Sequence, residues 1–135
     1  MKKMILTPSD CGLLIPQWPV LKQEKIARLY SMSTRNSRFP SFKGTTVMDV
    51  PPILILEDGF ILNGKHRAAF ALRYSYNLEA CETFDENDIR YNTPHRTYGE
   101  TGVEGVLEAY SNKFTYISYC NNRRVHCVRD LLSQI

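Results

Sequence analysis

Pro52-Ile-Leu-Ile-Leu-Glu-Asp-Gly-Phe-Ile-Leu-Asn-Gly-Lys-His-Arg-Ala-Ala-Phe-Ala-Leu72 governs how the rest of the chain is read. Ile53–Leu56 is an apolar run of strand length, Glu57-Asp58-Gly59 is a turn sequence, and Phe60–Leu62 is a second short strand. Asn63 is a favoured N-cap, and the helix it opens runs to about Tyr74. Ala68, Ala71 and Leu72 supply an apolar stripe, with alanines small enough to let the helix lie close to a sheet. Lys65, His66 and Arg67 fill the first turn. That is the unfavourable end for cations, because the helix dipole already places partial positive charge there; each costs about 0.3–1 kcal/mol. Three basic residues beside free backbone N–H groups and the flexible Gly64 point to an anion that completes the site, phosphate first. The competing reading is a solvated first turn.

Outward from this stretch, the pattern mixes elements. Met4–Leu6 reads as a short strand halted by Thr7-Pro8-Ser9-Asp10, and Val20–Met32 has helical periodicity. Residues 31–46 are irregular and polar, with Phe39 and Phe42 interleaved. Val47–Val50 and Ala80–Phe84 read as strands, the latter followed by an acidic turn and an irregular stretch to Gly99. Thr101-Gly-Val-Glu104 has the form of a capping box opening a helix. Phe114–Cys120 alternates as a strand would, and Asn122 is placed to cap a last helix. Without regular βαβ alternation, the expected class is α+β: a small mixed sheet with packed helices and a C-terminal α-β-α addition.

A chain of 135 residues is expected to form one domain with a core of its own. The net charge of +3 is too small to announce nucleic acid, but it is unevenly spread. Between Lys22 and Lys43 stand Lys22, Lys25, Arg28, Arg35, Arg38 and Lys43 against the single acid Glu24, a block able to steer anions. Cys11, Cys81, Cys120 and Cys127 form no CxxC pair and no zinc spacing, so free thiols in a reducing cytoplasm are expected and no metal site is assigned. No run approaches the roughly 20 apolar residues of a membrane span, so no membrane partner is expected.

From Val47 to Asp88 the order of hairpin, Asn63-Gly64-Lys65-His66-Arg67-Ala68-Ala69 helix start and following strand resembles the ParB/sulfiredoxin superfamily. The resemblance implies a ParB/sulfiredoxin-like fold over residues 1–135. It further implies that Gly64 lets backbone approach a nucleotide phosphate, that His66 and Arg67 contact it, and that Ala68-Ala69 pack the helix on the sheet. Sulfiredoxins carry their nucleophilic cysteine where this chain has Lys65, so sulfinic-acid reduction is not expected. Partition proteins carry Gly-Glu-Arg-Arg there, a charge that Lys65 reverses. The remaining implication is a free-standing domain of the orphan, phage or plasmid type that binds ATP, ADP or CTP, with Mg²⁺ as a candidate companion.

Two functional classes stay open. In the first, Asn63, Gly64, Lys65, His66 and Arg67 hold the phosphates of a nucleotide or phosphorylated small molecule. Glu57 or Asp58 would then serve as base or metal ligand in phosphoryl transfer or phosphate-ester cleavage, and His66 as a catalytic phosphate contact. In the second, the same turn is a non-catalytic module gripping a protein surface or nucleic acid, DNA included. Arg35, Arg38, Phe39, Phe42 and Lys43 would there supply charge and stacking for unpaired bases. His95-Arg96 and the Gly99-x-x-Gly102-x-x-Gly105 spacing are weaker signals, better read as surface loop and helix cap.

Overall fold

Ile53–Leu56 is the strand around which the protein is layered, because its side chains are buried on both faces. The computed structural model describes residues 1–33, 41–93, 97–98 and 101–134. In chain order the elements are β1 (Lys2–Leu6), α1 (Pro8–Leu13), α2 (Gln23–Ser33), β2 (Ser41–Phe42), β3 (Thr45–Thr46) and β4 (Ile53–Leu56). They continue with β5 (Ile61–Asn63), α3 (Lys65–Tyr74), β6 (Leu78–Thr83), α4 (Glu86–Asn92), α5 (Gly102–Ser111), α6 (Lys113–Asn122) and α7 (Val128–Ser133). The class is α+β, as expected.

Four strands form one mixed sheet in the order β1-β6-β4-β5, with β6 parallel to β4 and antiparallel to β1. The two-residue period of β4 sorts its side chains between two cores. Ile53 and Ile55 join Ile61 and the alanines of α3 on one face, under α1, α2 and α7. Leu54 and Leu56 join Phe60, Leu62, Ile89 and Val106 on the other, under α4 and α5. The β4–β5 turn follows from Asp58-Gly59: Gly59 takes a positive φ of 89°, its N–H donates to Leu56 O, and Asp58 Oδ1 accepts the Phe60 N–H at 3.0 Å.

Several local expectations are corrected. Thr7-Pro8-Ser9-Asp10 starts helix α1 instead of ending structure. Thr7 Oγ1 accepts the Asp10 N–H at 3.2 Å, Asp10 Oδ2 accepts the Thr7 N–H at 2.9 Å, and Pro8 sits where no N–H is needed. Thr7→Ala is expected to cost about 1 kcal/mol, read as a calorimetric midpoint lowered by a few degrees. An unchanged midpoint would show that this cap contributes nothing.

The acidic turn after β6 likewise contains helix α4, capped by Asp85, whose carboxylate accepts the Asp88 N–H. Val47 makes only a bridge to Asn77, so Val47–Val50 is not a strand. Thr101 precedes α5 without a side-chain cap.

The C-terminal α-β-α addition is all helix. Phe114–Cys120 lies within α6, where Tyr116, Ile117 and Cys120 turn inward at spacings of one and three residues while Phe114 is 79% exposed. A helical period, not alternation, sorts these side chains. The last helix begins at Val128 because the chain turns at Arg124, with φ 59°, after α6. All four cysteines are thiols, three of them buried. No helix among the described residues is long and apolar enough to cross a membrane.

Candidate functional site

Asn63 ends β5 instead of capping α3. Its Nδ2 donates to Thr97 O at 2.6 Å and Tyr98 O at 2.7 Å, so the side chain ties β5 to the segment before α5. The N-cap passes to Gly64, whose φ of 117° turns the backbone from strand into helix and which has no side chain to offer. The first α3 amide bonded into the helix is that of Ala68, which donates to Gly64 O at 3.0 Å. The N–H groups of Lys65, His66 and Arg67 have no acceptor among the described residues. An uncapped helix start with no acid in its first turn is a place where an anion is stabilised.

This helix start opens into a cavity of about 690 Å³. Lys65, His66 and Arg67 line it from α3; Lys22, at the entrance to α2, and Lys25 and Arg28, on α2, line it from across the gap. Five lining residues are Lys or Arg, and none of the described lining residues is Asp or Glu. Lys22, Lys25 and Arg28 recur every third residue, which places them along one side of the helix and its entry. The basic block expected from composition is therefore not a separate face: its first half converges on the α3 start.

Charge and burial in this cavity set the protonation states. Burial pushes Lys65 down to about 8; Cys120 opposes the shift, and Lys25 and Lys22 add to it. Burial also pushes Arg67 down to about 10, so it stays charged at neutral pH. Its Nη1 donates to Pro51 O and to Pro52 O (3.0 Å for the latter), anchoring the guanidinium over the entry to β4.

His66 departs from the reading of three first-turn cations. The Lys22 backbone N–H donates to its Nε2 at 2.9 Å, so the imidazole is neutral with its proton on Nδ1. Burial, then Lys65, Lys25, Lys22 and Arg67, push it down to about 4. An unfolded imidazole titrates near 6.5 and binds more protons between those values, so this contact loses stability as pH falls through that window.

The structure gathers Asn63, Gly64, Lys65, His66 and Arg67 into one cavity but not the two carboxylates assigned with them. Glu57 and Asp58 line a different depression, with Thr83, Phe84, Tyr110, Lys113 and Phe114. Asp58 is held there by Lys113 Nζ and the Phe60 N–H. Burial raises its carboxyl, but those bonds outweigh burial and leave it below its ordinary value.

Arg35, Arg38 and Phe39, and likewise His95 and Arg96, lie outside the described residues. Phe42 and Lys43 sit on the β2–β3 hairpin, with Lys43 Nζ 5.5 Å from the Phe42 ring centroid, and neither lines the basic cavity. Mg²⁺ requires oxygen ligands, usually including a carboxylate. The described lining residues supply no carboxylate, so they do not fit a protein-held Mg²⁺, and no step is drawn through one.

Sequence reading did not identify Trp18, Gln17 or Tyr116 as site residues, yet all three line the cavity. The signal available is a lone tryptophan between Pro16 and Pro19; the helix that meets it, α6, has a sequence whose alternation suggests a strand. Comparison with protein-family models, with curated proteins and with solved structures returns no match to this chain.

Proposed function

We propose that the protein binds the phosphate groups of a nucleotide or related phosphorylated small molecule at the start of α3, in the manner the ParB/sulfiredoxin resemblance implies. One observation carries this reading: five Lys and Arg side chains and an uncapped helix start converge on one cavity with no acid among its described lining residues. Like charges brought together in partial burial repel one another, and an anion turns that repulsion into attraction. Lys65 and Arg67 supply charge, the first-turn N–H groups supply directed donors, and neutral His66 positions the Lys22 backbone while offering Nδ1–H. The concave site favours a small ligand over a nucleic-acid strand. With Glu57 and Asp58 elsewhere, its described residues are equipped to bind phosphate and stabilise its charge; phosphoryl transfer would need its base from outside this set.

Titration calorimetry with ADP tests the reading, and pH supplies the signature. Bound phosphate favours the Lys65 ammonium, so the free group near 8 must rise on binding. At pH 8, binding should take up about half a proton, seen as a buffer-dependent enthalpy, and affinity should fall by up to about tenfold per pH unit above 8. Lys65→Arg should remove that fall, because arginine stays charged throughout. Affinity flat from pH 7 to 9 would remove Lys65 from the site. Binding only of oligonucleotides, with a steep log–log salt slope, would replace the small-molecule reading with the nucleic-acid one.

A further inference from the structure

Trp18 is 43% exposed and lines the basic cavity, yet it is not loose. The Tyr119 ring lies parallel against it, with centroids 4.6 Å apart and an interplanar angle of 5°. The Arg123 guanidinium covers the Tyr119 ring at 3.5 Å from its centroid. Tyr116 meets the indole edge-on at 6.1 Å and 89°. Tyr119 and Arg123 do not line the cavity, so the stack of guanidinium, phenol and indole is built behind Trp18. Such a stack fixes the indole plane in advance, while Trp18 itself remains part of the cavity lining. Beside it, Gln17 Nε2 donates to Leu62 O at 3.2 Å, which leaves its amide oxygen without a donor among the described residues.

We infer that Trp18 is the seat of a nucleobase: the ligand is a nucleoside phosphate whose base extends the Arg123–Tyr119–Trp18 stack by one layer while its phosphates reach the α3 start. This rests on the phosphate reading above and adds what lies at the other end of the ligand. A wholly inorganic polyphosphate would use the cations and leave the indole bare. A base has a π-face whatever its identity, and stacking on an aromatic ring is favourable for all of them. The Gln17 amide oxygen is an acceptor at the rim of the platform, suited to an exocyclic amino group such as those of adenine and cytosine.

Trp18 is the single tryptophan of the chain, so its fluorescence reports on this platform alone. ATP and CTP should quench it on binding, and inorganic tripolyphosphate, matched in phosphate number, should bind without quenching. By calorimetry, Trp18→Ala should weaken ATP by roughly 5- to 150-fold, the range for loss of one stacked base. The same variant should leave tripolyphosphate affinity unchanged, and Trp18→Phe should restore most of the ATP affinity. An unaltered thermal midpoint of both variants shows that the fold is intact. Tripolyphosphate binding as tightly as ATP, with Trp18 unquenched, would overturn the base seat and leave the phosphate site standing. Failure of tripolyphosphate and nucleotides alike to bind would overturn both.

Discussion

Gly64→Ala is expected to remove most of the protein's stability. A Cβ at this position would lie 2.2 Å from Ile53 Cγ2 and 2.6 Å from Ile53 Cβ, far inside contact distance. Ile53 cannot step aside: it is 0% exposed, β-branched, and stands in β4 at the middle of the sheet. The backbone adds a second cost, because φ of 117° is a region that residues with a side chain rarely adopt. Strain of that kind costs about 1–3 kcal/mol and overpacking a tight core about the same again. Together they approach the whole stability of a marginal domain, about 5–15 kcal/mol. The calorimetric midpoint should therefore drop on the order of 10 °C or more, or the protein should fail to accumulate. Ile53→Ala in the same chain should not rescue it, because alanine keeps the Cβ that lies 2.6 Å away and leaves a cavity at a fully buried site. A single variant melting within a degree of the parent would show that this close approach does not exist.

The hairpin, the helix start and the strand after it were readable because their determinants are local: four apolar residues, an Asp-Gly turn, a glycine, then alanines at helical spacing. What failed was decided at a distance. Asn63 is chemically fit to cap α3, but the carbonyls of Thr97 and Tyr98 claim its amide instead. His66 reads as a cation in isolation, yet a backbone N–H 44 residues away makes it an acceptor. Phe114–Cys120 satisfies both a two-residue and a 3.6-residue period over so short a run. Burial of Cys120 and partial burial of Tyr116 and Ile117, with exposure of Phe114, settle it as helix. Trp18 and the cations of α2 reach the site only once α2 and α6 are placed, and no short-range pattern places them. In the sequence Lys22, Lys25 and Arg28 are legible only as members of a basic block able to steer anions; that they line the same cavity as the α3 start emerges from the fold.

Arg67 is where fold and ligand compete for one side chain, and its replacement should damage both in separable ways. Its Nη1 donates to Pro51 O and Pro52 O, holding the first turn of α3 to the entry of β4. Its Nη2 lies 3.2 Å from the position a Cβ would take on Gly64, so the second arm of the fork hangs over the helix start. Arg67→Ala strips two carbonyls of a charged donor, at about 1.5–3 kcal/mol for each such bond. The midpoint of the free protein should fall on the order of 10 °C. The same change removes a buried cation at the helix start, and loss of one buried charged partner of an anion weakens binding by about 2–5 kcal/mol. Arg67→Lys separates the two effects, because an ammonium keeps the charge but cannot span both carbonyls and the anion as a planar fork does. It should retain weak ligand binding while melting below the parent. The decisive readout is the rise in midpoint on adding ADP, measured for each variant against its own free form, which cancels the damage to the fold. That rise should be largest in the parent, reduced in Arg67→Lys and absent in Arg67→Ala at the same ligand concentration. A full ADP-induced rise in Arg67→Ala would place the phosphate elsewhere in the cavity, against the remaining cations Lys22, Lys25, Arg28 and Lys65.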